Sequence, residues 1–141
     1  MRLRDILSDK GSAVHTVGLQ DSLGTVVDRM VDRRCGSLVV VEGEQVVGII
    51  TERDILRVSA ARLGSLDGLQ VADHLSRDLV VGHPDDLISD VMGVLTHRRV
   101  RHLPVLESGR LVGIISIGDV VKAQHDALSI ENHYLRTYLA G

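Results

Sequence analysis

Gly48-Ile-Ile-Thr-Glu-Arg-Asp54 returns later in the chain as Gly113-Ile-Ile-Ser-Ile-Gly-Asp119. The shared pattern is Gly-Ile-Ile-[Thr/Ser]-x-x-Asp, and a shift of 65 positions carries Asp54 onto Asp119. Held at that shift, Val14–Val58 lies on Leu79–Ala123 without a gap. Identical pairs include Asp21/Asp86, Val26/Val91, Arg33/Arg98, Arg34/Arg99, Leu38/Leu103, Val40/Val105, Glu42/Glu107 and Val47/Val112. An ungapped register of this length marks an internal duplication, so one unit is to be folded twice.

Within each unit the hydrophobic period changes in the same order. A short apolar strand, Ala13–Val17 or Leu79–Gly82, precedes an acidic turn at Asp21 or Asp86. A helix follows over Ser22–Arg34 or Leu87–Arg99. In the first copy Leu23, Val26, Val27, Met30 and Val31 fall on one helical face. Two strands come next, Ser37–Val41 with Val46–Thr51 and His102–Leu106 with Leu111–Ser116, joined by links of hairpin length that contain glycine. A second helix closes each unit, Glu52–Ala61 and Ile117–Asp126. The fold class is α+β, a mixed α/β chain of order β-α-β-β-α, twice. The first repeat spans about residues 10–62, a linker 63–70, the second repeat 71–126, and a tail 127–141 completes a single module. Leu3–Ser8 reads as a short leading helix with Val71–Ser76 as its counterpart. In the tail, Leu128, Leu135, Tyr138 and Leu139 fall on one helical stripe.

Composition narrows the function. The chain has 141 residues, 44% apolar but only 1% aromatic, so its core is built from Val, Leu and Ile. Net charge is −3, with 16 basic and 19 acidic residues, which is no footprint for nucleic acid. No apolar run reaches the ~18 residues of a membrane helix. The lone Cys35 fits a reducing compartment, and the chain is expected in the cytoplasm. The histidines show no metal-ligand spacing, and no Gly-x-Ser-x-Gly, P-loop or GxGxxG is present. Neither a catalytic nor a metal site is expected.

Thr51 and Ser116 stand where a strand ends and a helix begins, natural N-cap positions. A helix start with uncapped amides receives phosphate. Asp54 and Asp119, three residues on, are placed to accept hydrogen bonds from ribose hydroxyls. The same [Thr/Ser]-x-x-Asp is also a capping box that needs no ligand, and the motif alone leaves both open.

These duplicated motifs, with Gly-Ser-Leu-Val-Val at 36–40 and Arg-His-Leu-Pro-Val at 101–105, resemble the CBS domain family, whose repeats occur in tandem pairs. The resemblance covers about four-fifths of the chain. It implies a pseudo-two-fold pair with two clefts, each binding an adenosine-type ligand (AMP, ADP, ATP, NAD(H) or S-adenosylmethionine) in a non-catalytic regulatory module. Carried over by motif, the first cleft uses Thr51, Arg53 and Asp54, with Val80 and Val81 lining the base. The second uses Ser116, Asp119, Arg101 and His102, with Thr16 and Val17 opposite. Cys35, Gly36, Val100 and Arg101 border the clefts. The resemblance also implies a homodimer that signals to an effector protein, with no obligatory cofactor. The alternative is a ligand-free module that dimerises or docks on a partner.

Overall fold

The structure, a computed structural model, describes residues 1–11, 14–62 and 64–140. Ala13, where the first strand was expected to start, residue 63 of the linker and residue 141 of the tail lie outside them. The elements run α1 (Leu3–Lys10), β1 (Thr16–Gly18), α2 (Leu23–Arg33), β2 (Ser37–Glu42), β3 (Gln45–Thr51) and α3 (Glu52–Ala61). After a 3-10 turn at Val71–Asp73 come α4 (Ile88–Arg98), β4 (His102–Glu107), β5 (Arg110–Ser116) and α5 (Ile117–Ala140). In the first repeat β1 pairs parallel to β2, and β2 antiparallel to β3. In the second, β4 and β5 form a two-stranded antiparallel sheet.

Equivalent residues build the two cores. Leu23, Val26 and Met30 bury the inner face of α2 against Leu38, Val40 and Ile50. Their counterparts Ile88, Val91 and Leu95 do the same on α4 against Leu103, Val105 and Ile115. This spacing of three and four residues puts one stripe of each helix on the sheet.

Each core is completed by the other repeat's leading segment. Leu3 and Ile6 of α1 belong to the second core, while Val71 belongs to the first. Leu3 and Val71 are both fully buried. The exchange ties the repeats together through apolar surface, which is worth roughly 2 kcal/mol for each large side chain removed from water.

Two expectations need correction. The second helix of the second repeat does not stop at Asp126: α5 is continuous for 24 residues and absorbs the tail. No glycine or proline interrupts it after Gly118, so nothing in the chain ends it. Leu79–Gly82 forms no strand and keeps only an isolated bridge between Gly82 and Val105. The reason is Pro104, which sits where the first repeat has Val39 and cannot donate to a neighbouring strand.

Candidate functional site

Both strand-to-helix junctions close the same reciprocal box. Thr51 N–H donates to Asp54 Oδ2 at 2.9 Å, the Thr51 hydroxyl to the same oxygen at 3.1 Å, and Asp54 N–H to Thr51 Oγ1 at 3.4 Å. In the second repeat Ser116 N–H donates to Asp119 Oδ2 at 2.9 Å and Asp119 N–H to Ser116 Oγ at 3.1 Å. The first helical amides are taken as well: Glu52 N–H donates to the Gly36 carbonyl at 3.0 Å and Ile117 N–H to that of Arg101 at 2.8 Å. The first and third amides of each helix therefore already hold partners. An anion at these junctions depends more on side chains than on the bare helix start.

A cavity of about 610 Å³ lies between the repeats and collects residues from both junctions. Thr51, Arg53, Asp54 and Gly36 reach it from the first repeat, and Val80, Val100, Arg101, His102 and Ser116 from the second. The sequence assigned these residues to two clefts and their borders; here they line one space. Asp119 stands outside the lining, behind Ser116 in its cap. Val81 is 46% exposed and Val17 only 2%. The Thr16 carbonyl accepts from Arg29 Nη1 at 2.7 Å. Cys35 lines a separate apolar groove of about 320 Å³ with Val27, Met30, Val31, Ile55 and Leu56.

Motif reasoning missed several lining residues. Arg57 follows Arg53 by four and Asp54 by three on α3, a spacing that marks one helix face. Ser76, Asp78 and Leu79 precede Val80 in the same extended run. Arg99, with a left-handed backbone at φ 54°, caps the end of α4 at the cavity wall. Arg53, Arg57, Arg99 and Arg101 thus bring four guanidiniums to one space, and none of them forms an ion pair among the described residues. Of the lining carboxylates, Asp54 is held in its cap and Asp78 lies 3.3 Å from Arg98; Glu52 lies over Gly36 and forms no ion pair among the described residues.

The family model for the CBS domain matches residues 3–61 and 71–126. The chain belongs to the CBS domain family. Among relatives of this CBS pair, the CBS domain-containing protein CBSX3, mitochondrial, of Arabidopsis thaliana is 32% identical over 99% of this chain and 72% of its own length. The crystal structure of the CBS-domain containing protein ATU1752 from Agrobacterium tumefaciens shares 36% identity at a TM-score of 0.83, covering 88% of this chain and 99% of that one. The CBS domain pair of protein MJ0100 has a crystal structure in complex with 5'-methylthioadenosine and S-adenosyl-L-methionine. It superposes at a TM-score of 0.75 with 20% identity, covering 90% of this chain and 98% of its own, a likeness of fold. Among the described residues no helix of the CBS pair is long and apolar enough to cross a membrane.

Proposed function

We propose that this CBS pair is a regulatory sensor whose inter-repeat cavity holds an adenosine-type ligand, that it performs no chemistry, and that occupancy is read by a partner protein. The observation that carries this is the Thr51–Asp54 junction opening onto a cavity that Arg53, Arg57, Arg99 and Arg101 also line, none of them in an ion pair among the described residues. Thr51 and Asp54 serve the ribose, with Asp54 Oδ1 unused by the capping box. Arg53, Arg57, Arg99 and Arg101 serve phosphate, for which the guanidinium fork is suited. That charge favours AMP, ADP, ATP or NAD over S-adenosylmethionine, whose sulfonium is cationic. The volume lies within the ~300–1,000 Å³ usual for small-molecule sites. The MJ0100 pair shows that this fold can hold adenosine compounds; the residues named above bring the idea to this chain. The lone thiol of Cys35 suits a reducing compartment such as the cytoplasm.

Calorimetric titration with AMP, ADP, ATP, NAD and S-adenosylmethionine tests the proposal. Asp54→Ala should weaken the preferred ligand by ~2–4 kcal/mol through lost carboxylate–ribose bonds, and reduce stability by only ~1 kcal/mol through the lost cap. Full affinity in Asp54→Ala counts against the assigned site. Heat from none of the ligands sinks the sensor and leaves a scaffold.

Self-association is the second part of the proposal. Val31, Leu56 and Val121 are more than half exposed on three different helices, and Leu128, Leu135, Tyr138 and Leu139 are exposed along α5. So much exposed apolar surface is ordinarily covered, and a homodimer is the proposed cover. Sedimentation of the chain and of a version ending after Ala127 decides it. A monomeric full-length chain removes the dimer, and an unchanged dimer after truncation removes the tail from the interface.

A further inference from the structure

The first repeat keeps an apolar groove open where the second buries the equivalent position. Val27 and Val31 of α2, with Cys35, line a space of about 320 Å³ together with Ile55 and Leu56 of α3. Val31 is 70% and Leu56 69% exposed. At the repeat shift the counterpart of Ile55 is Val120 and that of Val31 is Thr96. Val120 is fully buried in the second core, whereas Ile55 is only partly buried. Among the described residues the charged group on this groove is Glu52, which forms no ion pair.

The copies also differ in where their second helix ends. α3 stops at Ala61, but the counterpart of that residue, Asp126, lies inside α5, which runs on to Ala140. This added length lies outside the CBS repeats proper. Near its tip Leu135, Tyr138 and Leu139 share one side of the helix and are 53%, 83% and 81% exposed. Arg136 is the one residue of fixed charge between Asn132 and Ala140, and it forms no ion pair among the described residues. A helix end packed on nothing is marginal in water, because helices in proteins owe most of their stability to packing. No glycine or proline between Asp119 and Ala140 lets this one bend back on its own chain.

We infer that the tip of α5, Leu135–Leu139, seats in the α2–α3 groove of a second copy, whose own tip returns the exchange. The inference deepens the self-association proposed above and rests on it. Charge and polarity agree: an apolar tip with one cation, Arg136, meets an apolar groove with one carboxylate, Glu52. A reciprocal exchange about a two-fold covers both surfaces on both chains and closes the assembly at two. The area suffices as well. Val31 and Leu56 on the groove side and Leu128, Leu135, Tyr138 and Leu139 on the helix side, at roughly 100 Å² each, come to on the order of 1,200 Å² in the dimer, which reaches the range of specific interfaces. Glu52 and Leu56 also line the inter-repeat cavity, so the partner's tip rests on the helix that walls the ligand site.

Cys35 is the chain's single cysteine and lies on the groove, which opens the contact to cross-linking. Leu135→Cys, Tyr138→Cys and Leu139→Cys are made one at a time in the full chain, oxidised mildly and run on a non-reducing gel. Three neighbouring positions allow for the narrow geometry of a disulfide. Expected is a linked dimer from at least one of them, lost when Cys35→Ser is added. Linkage that survives Cys35→Ser sets the two tips against each other. A bridge within one chain folds the tip onto its own groove, and a linked dimer of the unsubstituted chain sets groove against groove. Each of these, or no bridge at any position, overturns the inference. The charges give a second readout: Glu52→Lys and Arg136→Glu should each weaken the dimer up to about fivefold in sedimentation equilibrium, and together recover most of the loss. Losses that add in the double variant count against the seat. Sedimentation of the unsubstituted chain separates the two readings. A monomer at every concentration ends self-association and the seat with it, whereas a dimer without the cross-link ends the seat alone.

Discussion

The two segments that lead into the repeats begin alike and end differently. Leu3 N–H donates to the Asp86 carbonyl at 3.0 Å, Arg4 N–H to Pro84 at 2.8 Å, and Met1 accepts from Ile88 N–H at 3.0 Å. On the other repeat Val71 N–H donates to Asp21 at 2.9 Å, Ala72 N–H to Leu19 at 2.9 Å, and Leu69 accepts from Leu23 N–H at 2.8 Å. The same three backbone bonds dock both segments. From there α1 continues as a helix to Lys10, with Leu7 against the second core. The other segment leaves its 3-10 turn at Asp73 and pairs Ser76 with Ile49 in an antiparallel bridge. Its extended run then supplies Ser76, Asp78, Leu79 and Val80 to the cavity. Backbone register therefore sets where each segment docks, and the residues that follow decide which one walls a ligand site.

Truncating the two buried anchors puts the shared part of this comparison under the largest strain. Leu3→Ala should cost ~3–4 kcal/mol in urea unfolding, and Val71→Ala ~1 kcal/mol less, since one fewer methylene is removed. A loss below ~1 kcal/mol for Leu3→Ala would take α1 out of the folded core.

The glycines facing the two segments sharpen the difference. A Cβ at Gly48 would stand 2.4 Å from Leu75 Cδ1 and 2.6 Å from the Ser76 carbonyl oxygen, which the bridge holds in place. One at Gly113 would stand 2.4 Å from Leu7 Cδ2, the end of a side chain that can turn aside. Gly48→Ala should therefore cost ~2–3 kcal/mol and Gly113→Ala ~1 kcal/mol. Equal losses would mean that the Ser76 backbone yields as readily as a leucine tip.

The smallest effect belongs to the ion pair at the start of α1. Arg4 Nη2 lies 2.9 Å from Asp85 Oδ1. The hydrogen bond from the Arg4 guanidinium holds the Asp85 carboxyl below the usual carboxylate range, and the same pairing raises Arg4. A carboxylate lowered in the folded state contributes stability above its unfolded pKa and loses it as pH falls through the folded value. The pair is solvent-exposed, so the contribution is small and salt-sensitive. Asp85→Asn should lower Tm slightly at neutral pH, and the difference should vanish below the carboxylate range. A difference that persists in acid would assign the loss to something other than charge.

Much of the fold was legible because its signals are local and come twice. The shift linking Asp54 to Asp119 aligns α2 with α4 and both hairpins, and the Glu52 start of α3 follows from the Thr51 cap. What stayed hidden depends on tertiary pairing. Nothing in Leu3-Arg-Asp-Ile-Leu7 says that it will cover Leu103 and Val120 rather than its own repeat. The gathering of Arg57 and Arg99 with Thr51 and Ser116 into one cavity needs residues far apart in sequence to meet. The loss of the Leu79–Gly82 strand was legible in principle, because Pro104 is plain in the sequence. Recognising it required the partner of that residue to be known.

The long closing helix carries a mechanical consequence. Val120 is its last buried residue, and from His125 to Ala140 every residue is exposed. At ~1.5 Å per residue the helix measures roughly 36 Å from end to end. A rod of that length, fixed at the Ser116–Asp119 box, magnifies small motions: a tilt of ~5° at its root sweeps the far end through ~3 Å.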